Sequence, residues 1–171
     1  MDLRKSILTA LLLAIGFILH HIVPGTLGGM KFDLFLAFIF ISILLNSDVK
    51  NVVLTALLGG ILTAMTTSFP GGQIPNIIDK MVTCAAVYTM LKVMGKYKDN
   101  QVFVGILSFI GTMISGTTFL ASALALVGLP APFMALFVSI VIPTSITNTF
   151  ITIVIYQIVQ QAIKVTGAKF V

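Results

Sequence analysis

Apolar runs parted by short polar breaks cover residues 6–23, 30–47, 50–68, 76–95, 102–127 and 132–163. A helix needs about 20 apolar residues to cross a hydrocarbon core ~30 Å thick. The pattern therefore predicts an all-α integral membrane protein, a six-helix transmembrane bundle forming one membrane domain over residues 1–171. The opening "MDLRKSILTALLLAIGFIL" has the charged-then-apolar order of a signal peptide. No small-residue cleavage site follows in "HHIVPG", so the segment reads as a retained first span. The last run is the longest, and "GLPAP" (Gly128 to Pro132) is the obvious turn before it. Pro143 either kinks this run or begins the true sixth span after a re-entrant stretch.

Two of the runs are too short. The fourth is free of charge only from Met81 to Leu91, and eleven helical residues cover about 17 Å. Lys92 can reach the near surface along its own stem, but Asp79, Lys80 and Asn76 are left at or below the opposite boundary. The second run offers fourteen residues, Leu34 to Ser47, or about 21 Å, with Lys31 and Asp33 at its start. Both shortfalls fall at the same end of the bundle, which predicts a polar vestibule there. Ionisable groups at such depth are functional candidates. Asn76 with Asp79 three residues on also reads as a capping pair at a helix start. Asp79 and Lys80 point about 100° apart on a helix, so they do not form a self-contained pair and at least one needs another partner.

Composition fits the pattern: 58% of residues are hydrophobic and only 9% charged. The net charge of +5 does not indicate nucleic acid, because the basic residues sit in small groups at helix ends. Arg4, Lys5, Lys50, Lys92, Lys96, Lys98, Lys164 and Lys169 fall at one end, and only Lys31 and Lys80 at the other. The positive-inside rule then places both termini in the cytoplasm and the vestibule outside.

Few residues suggest catalysis. The chain has no glutamate, no G-x-x-x-x-G-K-[ST] and no nucleophile–base set, so neither an enzyme nor a self-powered ATPase is expected. Cys84 reads as a small buried hydrophobe. His20 and His21, the only histidines, are adjacent and do not share a helix face, so neither a metal nor a cofactor is expected. His20 reads as a hydrogen-bonding pocket residue. Asn148, within "PTSITNTF", is an amide in hydrocarbon and needs a partner from another helix. "GTMISGTT" (Gly111 to Thr118) reads as a small-residue packing face. Lys31, Asp33, Asp79 and Lys80 are balanced in sign, which suits a zwitterion with an apolar side chain.

Six spans, cytoplasmic ends and "ALLLA" (Ala10 to Ala14) resemble the substrate-binding S components of energy-coupling-factor (ECF) transporters. More narrowly, "IGFILHHIVPG", "MKFDLFL", "FPGGQIPNIIDK" and "IPTSITNTF" resemble the tryptophan-specific TrpP type, along nearly the whole chain. The A-x-x-x-A spacing is common in membrane helices; the long "FPGGQIPNIIDK" match is the specific part. The resemblance implies L-tryptophan as ligand and a pocket wall around Gln73, Asn76, Asp79 and Lys80. It also implies docking through Ala10 and Ala14 to a transmembrane T component driven by two ATPase subunits. Phe69 would pack on the indole. Two other readings stay open on the residues alone: a stand-alone ion-gradient-driven amino-acid transporter with Asp79 carrying the proton, and a non-transporting membrane assembly subunit.

Overall fold

The structure, a computed structural model, describes residues 3–22, 24, 30–97 and 100–166. Lys98 and Lys169 lie outside them. The described residues form six helices and no strand. They are α1 (Leu3–Ile22), α2 (Phe35–Leu45), α3 (Val49–Thr66), α4 (Gln73–Met94), α5 (Gln101–Leu126) and α6 (residues 133–166). α4, α5 and α6 pack in sequence order beside α3, and α1 lies mainly against α2.

The bundle is apolar outside, and many of its polar side chains are buried beside an apolar core. Ile7, Leu11, Ile18, Leu57, Ile61, Ile106, Ile146, Phe150 and Val154 are exposed, while Asn51, Lys80, Ser108, Asn148 and Thr152 are fully buried. That inversion suits a solvent of lipid, where apolar side chains lose nothing by facing outward.

α2 is the axis of this arrangement. It touches every other helix and is buried from Phe35 through Leu44, as expected of a helix hydrophobic all round. Its eleven residues cover about 17 Å, far less than a bilayer core. It is shorter than its apolar run because both ends are finished by polar side chains inside the protein. At its C-terminal end Asn51 of α3 donates to Asn46 O at 2.8 Å and accepts from Thr9 Oγ1 of α1 at 3.0 Å. At its N-terminal end stands Asp33.

α4 departs from expectation in the other direction. It begins at Gln73 and runs for 22 residues, about 33 Å. Its charge-free stretch is short, but the helix is not. Pro75 falls in its first turn, where a missing N–H is no loss. α6 is continuous, so no re-entrant stretch precedes Pro143. The α-helical turn Phe133–Leu136 widens into a π-helical stretch, Phe137–Val141, before Ile142–Thr166 resumes α geometry. The Ile142 N–H bonds Phe137 O, five residues back. That extra residue lies directly before Pro143, whose ring would otherwise press on the carbonyl four residues earlier.

Small residues set the closest helix approach. A Cβ on Gly60 of α3 would meet the Ile77 Cα of α4 at 3.2 Å, whereas one on Gly95 would meet nothing within 4 Å. Gly60→Leu should separate α3 from α4 and destabilise the bundle by about 1–3 kcal/mol. Gly95→Ala should melt at or slightly above the wild-type temperature. Thermal unfolding in detergent checks both, and equal melting of all three proteins would refute the close α3–α4 contact.

Candidate functional site

The site is built from one end of the bundle, where α1, α3 and α5 finish and α2, α4 and α6 begin. At its base three charged groups meet. Lys80 Nζ, fully buried, contacts Asp33 Oδ2 at 2.6 Å and also Asp79 Oδ2. Asp79 Oδ1 accepts from Thr83 Oγ1 at 2.9 Å. Lys80 therefore does close on its neighbour Asp79, contrary to the expectation from helical angle, because its four-carbon stem is long enough to bend back. The further partner expected for the pair is Asp33, two residues before α2 begins.

Asp33 is held from behind. The Asn148 amide of α6 donates to its backbone carbonyl at 2.9 Å and lies 3.4 Å from Thr112 Oγ1 of α5. The His20 Nδ1 of α1 stands 3.4 Å from Asp33 Oδ1. Neither atom has a hydrogen-bond partner among the described residues. Two carboxylates facing one ammonium leave one formal negative charge at the base of the site.

Above this base lies a cavity of about 90 Å³, open at its mouth. His20, Lys31, Asp33, Asn76 and Asp79 line one part, and Met30, Leu36, Phe69, Phe119, Leu120, Ile140 and Val141 the apolar part. Phe69 is fixed by the stretch "FPGG". The Gly72 N–H bonds Phe69 O at 3.0 Å and Gly71 has φ +73°. Proline second and a left-handed glycine third suit a type II turn. The turn seats the Phe69 ring edge-on to Phe119, centroids 5.7 Å apart, and leads directly into α4.

Most of the residues singled out in the sequence gather here, though in different roles. His20, Lys31, Asp33, Phe69, Asn76 and Asp79 line the cavity. Lys80 does not; it lies beneath the wall, neutralising the acids. The accessible charges are thus not balanced, since the acids outnumber Lys31. Asn148 is likewise a support behind Asp33. Gln73 is exposed at the first residue of α4 and stays outside the cavity. Asn76 does not cap α4, because the helix starts three residues earlier and Asn76 sits in its second turn. Thr63, Thr112, Ser115 and Thr144 line the cavity unannounced. Thr112, Ser115 and Phe119 recur at helical spacing on one face of α5, a signal that reads equally well as small-residue packing.

Residues 2–164 match the family described as tryptophan transporter TrpP. The chain belongs to that family. It is 44% identical over 165 residues to a probable tryptophan transport protein of Clostridium acetobutylicum, covering 96% of each chain. A probable tryptophan transport protein of Bacillus subtilis is 43% identical over 164 residues, covering 96% of this chain and 95% of its own. A third, from Clostridium perfringens, is 40% identical over 166 residues, covering 92% and 91%. No solved structure matches significantly. This member of the TrpP family is thus a multi-pass bacterial membrane transporter and not an enzyme. Its relatives match end to end, so the cavity and the buried charges lie inside the shared region.

The buried cluster makes a direct prediction. Lys80→Met leaves two carboxylates facing each other without a counter-ion, which costs about 3–5 kcal/mol when one partner of a buried pair is removed. The variant should melt far below wild type. Adding Asp33→Asn and Asp79→Asn to it should recover much of the loss, because a neutral set needs no ammonium. A single Lys80→Met variant with wild-type melting would show that the cluster does not hold the helices.

Proposed function

We propose that this protein is a tryptophan-binding S component of an ECF transporter, facing outward with its cavity and working with a transmembrane T component and two ATPase subunits. Membership of the TrpP family and the names of the relatives support tryptophan as the transported substrate. The observation that carries the binding role is the division of the cavity: a carboxylate corner with one unsatisfied oxygen lies against a wall of Phe, Met, Leu, Ile and Val. A free apolar amino acid has that same division.

In this reading Asp33, with Asp79 beside it, takes the ammonium of the ligand and so cancels the negative charge that Lys80 leaves over. Lys31 takes the carboxylate from the rim, and His20 stands beside Asp33. The indole lies against Phe69 and Phe119. Burying a charged head is favourable only where each charge finds an opposite one, and the cluster supplies that arrangement before the ligand arrives.

Coupling is read from α1. Ala10 and Ala14 are both exposed, one turn apart among the exposed Ile7, Leu11 and Ile18. A stripe with two small residues between bulky ones lets another helix approach closely. It packs against nothing inside the bundle, which fits a face that lipid covers until a partner docks.

Thermal stabilisation of the purified protein against a panel of amino acids tests the ligand. L-tryptophan at a hundredfold excess over Kd should stabilise the fold by about 2.7 kcal/mol. Asp33→Asn keeps Lys80 paired with Asp79 and should fold. Losing a charge-assisted hydrogen bond, it should bind tryptophan about 10- to 100-fold more weakly. No stabilisation by tryptophan in wild type would remove the ligand assignment. Ala14→Trp tests coupling: the variant should bind tryptophan as wild type does, yet fail to co-purify with the T component and fail in uptake. Full uptake by Ala14→Trp would place the docking face elsewhere or favour transport without it.

A further inference from the structure

Tryptophan differs from phenylalanine in shape and in one polar group, the indole N–H. Its burial in an apolar wall calls for an acceptor. The cavity has one whose orientation is set by the backbone. The Asn76 Nδ2 donates to Gly72 O at 2.8 Å. With the NH₂ group committed to that carbonyl, the amide oxygen is turned away from it. Asn76 lines the cavity, and its Oδ1 is the end of the amide not committed to that carbonyl. The carbonyl it bonds belongs to the turn that seats Phe69. One structural unit, residues 69–76, therefore presents an aromatic face and a neutral acceptor side by side.

Asn76 also has the right neighbour. It lies three residues before Asp79, so the two share a face of α4, with Cβ atoms about 5–6 Å apart. That is comparable with the span of one tryptophan molecule from its ammonium to its ring nitrogen. Two threonine hydroxyls and the two carboxylates of the wall are less suited. Thr63 and Thr144 use their hydroxyl protons on Gly59 O at 2.7 Å and Ile140 O at 2.6 Å, and a hydroxyl oxygen is a weaker acceptor than an amide. Asp33 and Asp79 are charged and are taken up by Lys80 and the ligand ammonium.

Resting on the tryptophan reading above, we infer that Asn76 Oδ1 accepts the indole N–H and is the residue that selects tryptophan over ligands of the same shape lacking that proton. A site built to bond a ligand N–H rejects the isostere without it, because its own buried acceptor is left unpaired.

The test compares L-tryptophan with 3-benzothienyl-L-alanine, in which sulfur replaces the ring N–H, by titration calorimetry on the detergent-purified protein. Wild type should prefer tryptophan by about 10- to 100-fold. Asn76→Leu should lose about that factor for tryptophan and nothing for the sulfur analogue, bringing the ratio close to one. Equal binding of the two ligands by wild type overturns the inference, and this comparison needs no variant. A variant that weakens both ligands alike also overturns it, since Asn76 would then serve the amino-acid head or the turn. Wild-type protein that binds neither ligand refutes the tryptophan reading itself, a result distinct from the other two.

Discussion

An ammonium with no exposure to solvent, in a bundle whose outer surface is apolar, constrains everything around it. Lys80 in that position is tolerable only because two carboxylates reach it from different parts of the chain. One comes from its own helix, one residue back. The other, Asp33, has to be delivered by α2, which fixes where α2 begins relative to α4. Asn148 of α6, whose amide also reaches Thr112 of α5, then holds the backbone of Asp33, so the charge cluster ties together four helices. α1 joins through His20. The bundle has no driving force from water to bring its apolar faces together, and these polar ties stand in its place.

The shortness of α2 follows from the same constraint. A helix that ran on through Asp33 would carry the carboxylate past Lys80 instead of meeting it. By stopping at Phe35, the helix leaves its first turn inside the protein and space above it, and that space is the cavity. At the opposite end Asn51, held by Thr9, satisfies carbonyls exposed by early termination. Irregular backbone at membrane depth survives only where protein or water covers it; here it is covered at both ends and forms the floor of the site at one of them.

Much of this was legible in the sequence because hydrocarbon is an unforgiving solvent. Polar residues inside apolar runs have to be explained, so Asp33, Asn76, Asp79, Lys80 and Asn148 declared themselves, and the shortfall of α2 could be measured by counting. What remained hidden were facts of orientation. Counting residues put Lys80 and Asp79 together but not Lys80 behind the wall and Asp79 on it. The apolar run places the start of α4 at Asn76; proline suits a first helical turn, and the helix begins three residues earlier, at Gln73. That earlier start removes the capping role of Asn76, leaves its place in the wall and puts Gln73 at the exposed first residue. Thr112, Ser115 and Thr144 were invisible for the opposite reason. Small polar residues on a membrane helix serve packing and ligand binding with the same spacing, and only a neighbouring cavity distinguishes the two.

The cluster also bears on how a site can bind tightly and still be emptied. Its base carries one uncancelled negative charge, in a place where water is scarce and electrostatic interactions are strong. A bound ammonium would cancel that charge, so occupancy would stabilise the same contacts that hold α2 against α4 and α6. Ligand and fold would then share one set of interactions. Any partner that shifted α1, and with it His20, or drew α2 away from Lys80 would weaken both together. In such an arrangement affinity is a property of helix position, and force applied to the helices from outside is a means of release.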